Sequence, residues 1–264
     1  ESNMKRTLII LTLNEIEGVR VFIPTLPLEA IDEVLAVDGG STDGTREFLL
    51  EHDIPVYEQT RRGRGEAFRV GMAHSKGEYV AFFSPDGNED PNDIPKLFEL
   101  LEGGADMAIA SRFLPGARNE EDDEFLPLRK WVNQAFTLLA NVIWNRRGSF
   151  ITDTINGFRG ITRQAFTDLS PISLGYTIEY ELTIGAMRSR MKIAEIPTIE
   201  AKRIGGETKG ASWPTGVKFL KFFLREVRRD LQPYTYLLPY VIVIGVVFVL
   251  WFLLLRRGQR RHRP

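Results

Sequence analysis

One stretch near the middle of the chain limits the fold more than any other, because an apolar run stops abruptly at a polar turn. Tyr79 to Phe83 is continuously apolar, which predicts a strand buried on both faces, as in a parallel sheet. The next residues, Ser-Pro-Asp-Gly-Asn at 84–88, are typical of a turn. Open α/β sheets bind ligands beyond the carboxyl ends of their strands, so we expect Asp86 and Asn88 to lie where such a fold places its chemistry.

Asp86 and Asn88 both offer hard oxygen ligands. Their spacing lets one turn present both to a divalent cation. Asp and Asn are also common in turns for conformational reasons, so the pair alone leaves a metal site and an ordinary turn as alternatives.

Short apolar runs alternate with helical patterns through most of the chain. The predicted strands cover 6–13, 34–37, 56–58, 79–84, 105–110 and 192–200, with one more after the polar turn at 153–160. The predicted helices cover 16–30, with interruptions at Pro24 and Pro27, and then 45–51, 66–74, 92–101, 128–143 and 176–190. This alternation predicts an α/β fold with a doubly wound parallel sheet.

Polar side chains follow the first two predicted strands as well. Asn14 and Glu15 end the first strand, and Asp38-Gly-Gly-Ser-Thr-Asp43-Gly-Thr ends the second. Two carboxylates in a glycine-rich turn are suited to ribose hydroxyls or a base edge. An ordinary strand-to-helix turn with a capping residue is the alternative.

Two glycine-broken basic loops are candidate anion sites. One is Arg61-Arg-Gly-Arg64-Gly before a helix, and the other runs from Arg203 to Gly210 after the last predicted strand. Backbone N–H groups and guanidinium groups in such loops can bind an anion, and the second loop suits a diphosphate. A solvated run of charge is the alternative for the first.

Composition excludes several classes of function. The formal net charge of −1 argues against a globally basic nucleic-acid binder, so no nucleic-acid partner is expected. The chain contains no cysteine, which excludes disulfides and cysteine-ligated metals. Its three histidines lack metal-ligand spacing, and no Ser–His–Asp signature is present.

The C-terminal part predicts contact with a membrane. Residues 217–231 place Leu220, Phe223, Leu224 and Val227 at helical spacing opposite Lys and Arg, as in a helix lying on anionic lipid; a helix packed on the core is the alternative. Residues 237–255 carry no charge and are long enough to span a bilayer, with a buried core helix as the alternative. The predicted domains are a catalytic domain at 4–212, an amphipathic helix at 213–232, a transmembrane helix at 236–255 and a basic tail at 256–264.

In chain order, the motifs are Asn-Glu, Asp-Gly-Gly-Ser-Thr-Asp-Gly-Thr, Gly-Arg-Gly, Ser-Pro-Asp-Gly-Asn, Ser-Arg and Asn-Gly-Phe-Arg. The series resembles the family 2 glycosyltransferases with the GT-A fold, from about Thr7 to Gly210. The resemblance implies an α/β fold with a mixed, mostly parallel sheet and helices on both faces. Within them it is most similar to the dolichyl-phosphate mannose synthase group, which moves a sugar from a nucleotide onto a polyprenyl phosphate.

The resemblance implies a role for each motif residue. Nucleotide binding is implied for Asn14, Glu15, Asp38, Asp43 and Arg64. Asp86 and Asn88 would hold Mg²⁺ or Mn²⁺, and Asp86, Arg203 and Lys209 would form the catalytic group that stabilises the leaving diphosphate. The candidates for the acceptor phosphate are Arg112, Arg129, Lys130, Asn133 and Arg159.

Two positions depart from the family pattern. Ser84 replaces the first Asp of the D-x-D motif, and Gly39 replaces the second Asp of the Asp-Asp-Gly-Ser turn. Fewer carboxylates predict weaker metal binding, or a metal that relies on the phosphates of the nucleotide. The Gly39 change removes a carboxylate that the family pattern assigns to base recognition.

These features together predict a membrane-anchored inverting enzyme that transfers a sugar from UDP or GDP to a polyprenyl (dolichyl) phosphate. We expect it in the cell or endoplasmic-reticulum membrane, with the catalytic domain facing the cytoplasm and a homo-oligomer possible through the membrane segment. One alternative is a tethered transferase acting on a glycan or glycolipid hydroxyl, with Asp153 as the candidate base. The other is a non-catalytic scaffold that binds sugar nucleotides.

Overall fold

A computed structural model of the protein describes residues 5–122, 127–146, 148–204 and 212–230. The strands are β1 (Arg6–Thr12), β2 (Glu33–Asp38), β3 (Val56–Glu58), β4 (Tyr79–Phe83), β5 (Met107–Ser111), β6 (Arg159–Thr162) and β7 (Ile193–Pro197). The α-helices are α1 (Ile16–Phe22), α2 (Thr45–Glu51), α3 (Arg64–His74), α4 (Ile94–Glu102), α5 (Leu128–Trp144), α6 (Arg163–Leu169), α7 (Ile178–Arg188) and α8 (Ser212–Asp230). Short 3-10 helices cover Ile23–Thr25, Leu28–Ala30 and Pro91–Asp93.

The strands form one seven-stranded sheet in the order β3-β2-β1-β4-β6-β5-β7. β6 runs antiparallel to both of its neighbours, β4 and β5. All other pairs are parallel. The prediction of a mixed, mostly parallel sheet is therefore confirmed.

Successive residues of the central strands face two different helix layers, as the period of a strand requires. Ile10 and Phe83 belong to one apolar cluster with residues of α1, α2 and α4. On the other face, Phe82 stacks on Phe68 of α3 with ring centroids 3.9 Å apart. Burial on both faces explains why β4 is an uninterrupted apolar run.

The helical segment predicted at 16–30, with interruptions at Pro24 and Pro27, is interrupted at these prolines. α1 ends at Phe22, and two 3-10 turns follow it. Pro24 lies within the first of these turns, and Pro27 caps the second. A proline lacks the N–H that a continuing α-helix needs, so the helix cannot run through this segment.

The chain divides into two compact units, with the boundary between Ser212 and Trp213. The amphipathic segment of the second unit is helical, as α8. Its buried apolar residues are Phe219, Phe222, Phe223 and Val227, whereas the predicted apolar face included Leu220 and Leu224, which are exposed. Within the described ranges, no helix combines the length and the apolar composition needed to cross a bilayer. The segment predicted to span the membrane, 236–255, lies outside the described residues and stays a prediction.

Candidate active site

The turns that follow β1 and β2 are joined at the carboxyl edge of the sheet. Asn14 adopts a positive φ of 50°, and its backbone N–H donates to Ser41 Oγ at 2.8 Å. Its side-chain Oδ1 accepts the N–H of Thr42, also at 2.8 Å. Asn14 therefore fixes the β2 turn against the end of β1.

The two carboxylates of the β2 turn are held by the protein itself. Asp38 is buried and accepts the N–H groups of Gly40 and Ser41 at 2.8 and 2.7 Å. Asp43 accepts hydrogen bonds from Thr45 and from the backbone N–H of Ile16. Burial raises the pKa of Asp43, but these hydrogen bonds outweigh it and hold that pKa below its usual range. Both groups shape the turn, and a role for them in nucleotide binding stays a prediction.

The turn after β4 is shaped by the segment that follows β7. Gly87 has a φ of +101°, and a Cβ atom there would lie 2.6 Å from the backbone N of Ile204. The Ile204 N–H donates to the carbonyl oxygen of Asp86 at 2.8 Å. Glycine is required at 87 both by its backbone conformation and by this close approach.

This approach brings Arg203 onto two carboxylates. Its Nη1 lies 3.1 Å from Asp86 Oδ2, and its Nη2 donates to Glu15. Residues following β1, β4 and β7 thus meet at this edge of the sheet. Lys209, the other predicted basic residue of that loop, lies outside the described residues.

Among the described residues, the side-chain amide of Asn88 has a hydrogen-bond partner for its nitrogen but not for its oxygen. Its Nδ2 donates to Glu120 at 2.8 Å, while its Oδ1 is buried and has no hydrogen-bond partner in the described part of the chain. A buried oxygen without a partner is costly, and a cation would satisfy it. Across the described residues, no three Asp, Glu, His or Cys side chains form a metal cluster. This turn therefore fits a cation that is held by Asp86 and Asn88 and takes its other oxygen ligands from outside the protein.

Glu89 is a carboxylate near this turn that sequence reasoning missed. Its Oε2 accepts the N–H of Ser84 at 2.7 Å. Burial, and then the neighbouring charge of Asp86, raise the pKa of Glu89 to about 8. Burial thus favours the neutral form of the Glu89 carboxyl beside Ser84.

Arg64 is anchored inside the protein rather than in an open loop. Its guanidinium pairs with Glu179 and donates to Ser84 Oγ at 3.0 Å. Burial lowers the pKa of Arg64, but the charges of Glu179 and Glu89 more than compensate and raise it.

The glycines around Arg64 allow close packing, and the use of this loop as an anion site stays a prediction. A Cβ at Gly65 would lie 2.0 Å from the carbonyl oxygen of Ser173, and one at Gly63 would lie 2.1 Å from that of Leu174. The backbone N–H of Gly65 already donates to Leu174 at 2.8 Å. The segment that precedes α7 thus packs closely against the start of α3.

Two of the predicted acceptor-phosphate residues have internal partners. Arg112 binds Asp153 through Nε and Nη2 at 2.7 and 3.0 Å and reaches Glu200 at 3.3 Å. Burial lowers the pKa of Arg112, but these carboxylates raise it overall. Arg159 is 0% exposed and donates to the carbonyl oxygens of Asn156 and Glu179 at 2.8 and 2.9 Å. Burial lowers the pKa of Arg159 to about 10. Neither guanidinium is presented to a ligand in this conformation, so both act structurally here.

The remaining acceptor candidates lie at the start of α5. Arg129 pairs with Glu120 and with Glu121, the latter at 3.1 Å, and Lys130 pairs with Asp122. Asn133 is half-buried one turn later on the same helix. The acidic residues from Glu120 to Asp122 thus neutralise these two cations. Their position just before the basic residues of a helix was the available signal.

Comparisons with known proteins agree with this arrangement. Residues 7–169 match the family model described as Glycosyl transferase family 2. The chain is 30% identical over 220 residues to "Glycosyltransferase AglJ" of Haloferax volcanii, covering 81% of this chain and 69% of that protein. It is 27% identical over 223 residues to "Polyprenol monophosphomannose synthase" of Mycolicibacterium smegmatis, covering 78% and 81%.

A solved structure shares the fold. It is glucosyl-3-phosphoglycerate synthase from Mycobacterium tuberculosis, determined with Mn²⁺, UDP and glucosyl-3-phosphoglycerate. The TM-score is 0.67 at 20% identity, over 85% of this chain and 80% of that one. At this identity the likeness shows a GT-A-like fold. Together with the family match over more than half of the sequence, it leads to one conclusion: the chain belongs to Glycosyl transferase family 2 and is a glycosyltransferase.

Proposed function

We propose that the protein is a membrane-associated, inverting glycosyltransferase that moves a sugar from a nucleoside diphosphate to a polyprenyl phosphate. The observation that carries this proposal is the chain of contacts from Asn88 through Glu120 to Arg129. The side chain of Glu120 thus bridges Arg129 of α5 and the candidate metal turn that contains Asn88. A donor on that turn and an anionic acceptor on α5 would then be neighbours.

The donor side is supported by Arg203, Asp86 and Asn88. Asp86 and Asn88 would hold Mg²⁺ or Mn²⁺, and Arg203 lies within reach of an anion bound there. The cation would stabilise negative charge on the leaving diphosphate. A preformed guanidinium adds to that stabilisation without a reorganisation cost at the moment of reaction. Mn²⁺ and UDP in the solved structure that shares the fold support this assignment.

A phosphate acceptor fits the acid–base chemistry of the site. A phosphate monoester is largely ionised near neutral pH, so its oxygen is nucleophilic without a general base. A hydroxyl acceptor needs a positioned carboxylate. Asp153, the candidate for that role, is 0% exposed and bound by Arg112 through both oxygens. This pairing favours the phosphate acceptor over the hydroxyl.

The membrane assignment rests on the sequence pattern and on a relative. The acceptor of a polyprenol monophosphomannose synthase is a lipid, so an enzyme of this kind works at a bilayer surface. α8 is amphipathic, and the uncharged segment at 236–255 would hold the catalytic domain at the cytoplasmic face. A homo-oligomer through that segment is part of the proposal.

A donor screen tests the proposal. The full chain is incubated with Mg²⁺ or Mn²⁺, a polyprenyl phosphate, and UDP- or GDP-linked sugars in turn, and lipid-linked product is followed beside released nucleoside diphosphate. We expect lipid-dependent product from one donor, and none from the matched variant Asp86→Asn. Donor hydrolysis without lipid product would favour the hydroxyl acceptor. Binding of a donor without any turnover would favour the non-catalytic scaffold.

A further inference from the structure

We propose that the carboxylate of Glu120 holds the place of the acceptor phosphate, and that the acceptor binds by displacing it from Arg129. The inference deepens the proposed function and rests on it, because it concerns the acceptor side of the same site. It makes Glu120 a specificity-determining residue that selects acceptors by charge.

Glu120 spans the gap between the donor side and the acceptor side. One of its oxygens accepts a hydrogen bond from Asn88 Nδ2 at 2.8 Å, and the other pairs with Arg129. Asn88 belongs to the turn after β4, and Arg129 lies in the first turn of α5. A carboxylate between an amide N–H and a guanidinium occupies a position suited to an anionic ligand.

Within the described part of the chain, the side chains of the neighbouring acidic residues accept hydrogen bonds from backbone N–H groups, whereas the side chain of Glu120 does not. Glu121 accepts the backbone N–H of Lys130 at 2.9 Å, and Asp122 accepts that of Asn119 at 2.8 Å. The contacts of the Glu120 carboxylate are with side chains, and that side chain is 24% exposed. Its release therefore breaks no backbone hydrogen bond, so Glu120 is the member of the run that can leave.

A phosphate monoester can replace the contacts that Glu120 gives up. It carries between one and two negative charges near neutral pH and has three strong acceptor oxygens. It can therefore pair with Arg129 and accept from the Asn88 amide together. A neutral hydroxyl cannot compensate for the broken ion pair. While Glu120 stays in place, its charge repels an incoming phosphate. Binding thus requires an exchange of one anion for another.

Equilibrium binding tests this exchange without turnover. The full chain is titrated with a short, water-soluble prenyl monophosphate in the absence of donor and metal. The variants are Glu120→Gln, Arg129→Gln and the double variant. Glu29→Gln is the control, since it removes the same charge at an exposed position outside the site. The neutral prenol of the same length is titrated in parallel.

We expect Glu120→Gln to bind the prenyl phosphate roughly fivefold more tightly, as removal of a competing ion pair at a partly exposed site would give. The gain disappears when Arg129 is also replaced, Glu29→Gln changes nothing, and prenol binding is the same in all variants. Equal or weaker binding by Glu120→Gln overturns the inference, as does a gain that survives without Arg129. If no variant binds the prenyl phosphate, the proposed acceptor is wrong as well. If lipid-linked product forms but Glu120→Gln binds like the wild type, only the Glu120 inference fails.

Discussion

Arg203 lies against Asp86, with Nη1 of its guanidinium 3.1 Å from Asp86 Oδ2. The contact joins the segment after β7 to the turn after β4, and the same guanidinium also donates to Glu15. A cation held between two carboxylates at the carboxyl edge of the sheet is positioned to meet a donor diphosphate.

Replacing Arg203 should therefore weaken catalysis more than the loss of one positive charge explains. We expect Arg203→Gln to lower kcat/KM by about 10²- to 10³-fold, the usual effect of removing one group that stabilises developing charge. Steady-state kinetics with the active donor measure it. Lys202→Gln is the matched control, because it removes an exposed positive charge from the same segment. Equal losses in the two variants would show that only the overall charge of the segment matters.

The glycine of the metal turn should be more sensitive than other glycines of the same backbone conformation. Gly87 and Gly40 both have positive φ, but a Cβ at Gly87 meets Ile204, whereas one at Gly40 meets nothing within 4 Å. We expect Gly40→Ala to cost roughly 1 kcal/mol of unfolding free energy and Gly87→Ala clearly more than about 2 kcal/mol. Chemical denaturation compares them. Similar costs would mean that the turn and the segment after β7 separate easily.

Arg159 and Arg129 were both predicted to bind the acceptor phosphate, but replacing them should have different effects. Replacing Arg159 should reduce stability, and replacing Arg129 should weaken acceptor binding. Arg159→Gln leaves buried carbonyl oxygens without donors, so we expect a loss of roughly 2–4 kcal/mol in unfolding free energy. Arg129 lies at a partly exposed helix start, so Arg129→Gln should stay within about 1 kcal/mol of the wild type in unfolding free energy, while raising the KM for the acceptor. Denaturation and acceptor kinetics on both variants separate the roles. If Arg159→Gln stays folded and only its acceptor kinetics are impaired, Arg159 binds the acceptor phosphate as predicted.

Acid should weaken the fold partly through Asp43. Its folded-state pKa lies below the ordinary value, because its hydrogen bonds outweigh burial, so the unfolded chain binds its proton first as the pH falls. The stability from this group is fully present above the unfolded pKa of about 4 and is lost as the pH falls through the folded pKa. We expect Asp43→Asn to show a shallower decline of Tm below about pH 5 than the wild type. An identical slope would mean that other carboxylates control acid unfolding.

Local sequence signals were sufficient for most of the sheet but not for its strand order. The apolar run of β4 and the turn after it predict a buried strand with chemistry at its end, because both properties are local. The insertion of β6 between β4 and β5 is not local. Its four residues, Arg159 to Thr162, carry no signal for an antiparallel partner.

The site was predictable where a residue keeps its partners close to its own turn, and unpredictable where the partner is distant. Asp86 and Asn88 share one turn, so their spacing indicated a common ligand. Arg112 and Asp153 are 41 positions apart, and the sequence does not reveal that their charges neutralise each other. The same holds for Arg129, whose partner Glu120 was visible only as part of an acidic run.

The nature of the acceptor is the central claim, and one measurement tests it most directly. The full chain, with its active donor and Mg²⁺ or Mn²⁺, is offered a polyprenyl phosphate or the polyprenol of the same length, and the products are identified by mass spectrometry. We expect a glycosyl phosphate lipid from the phosphate and no glycosylated product from the alcohol. Transfer to the alcohol, or to an added glycan hydroxyl in preference to the phosphate, would contradict the account.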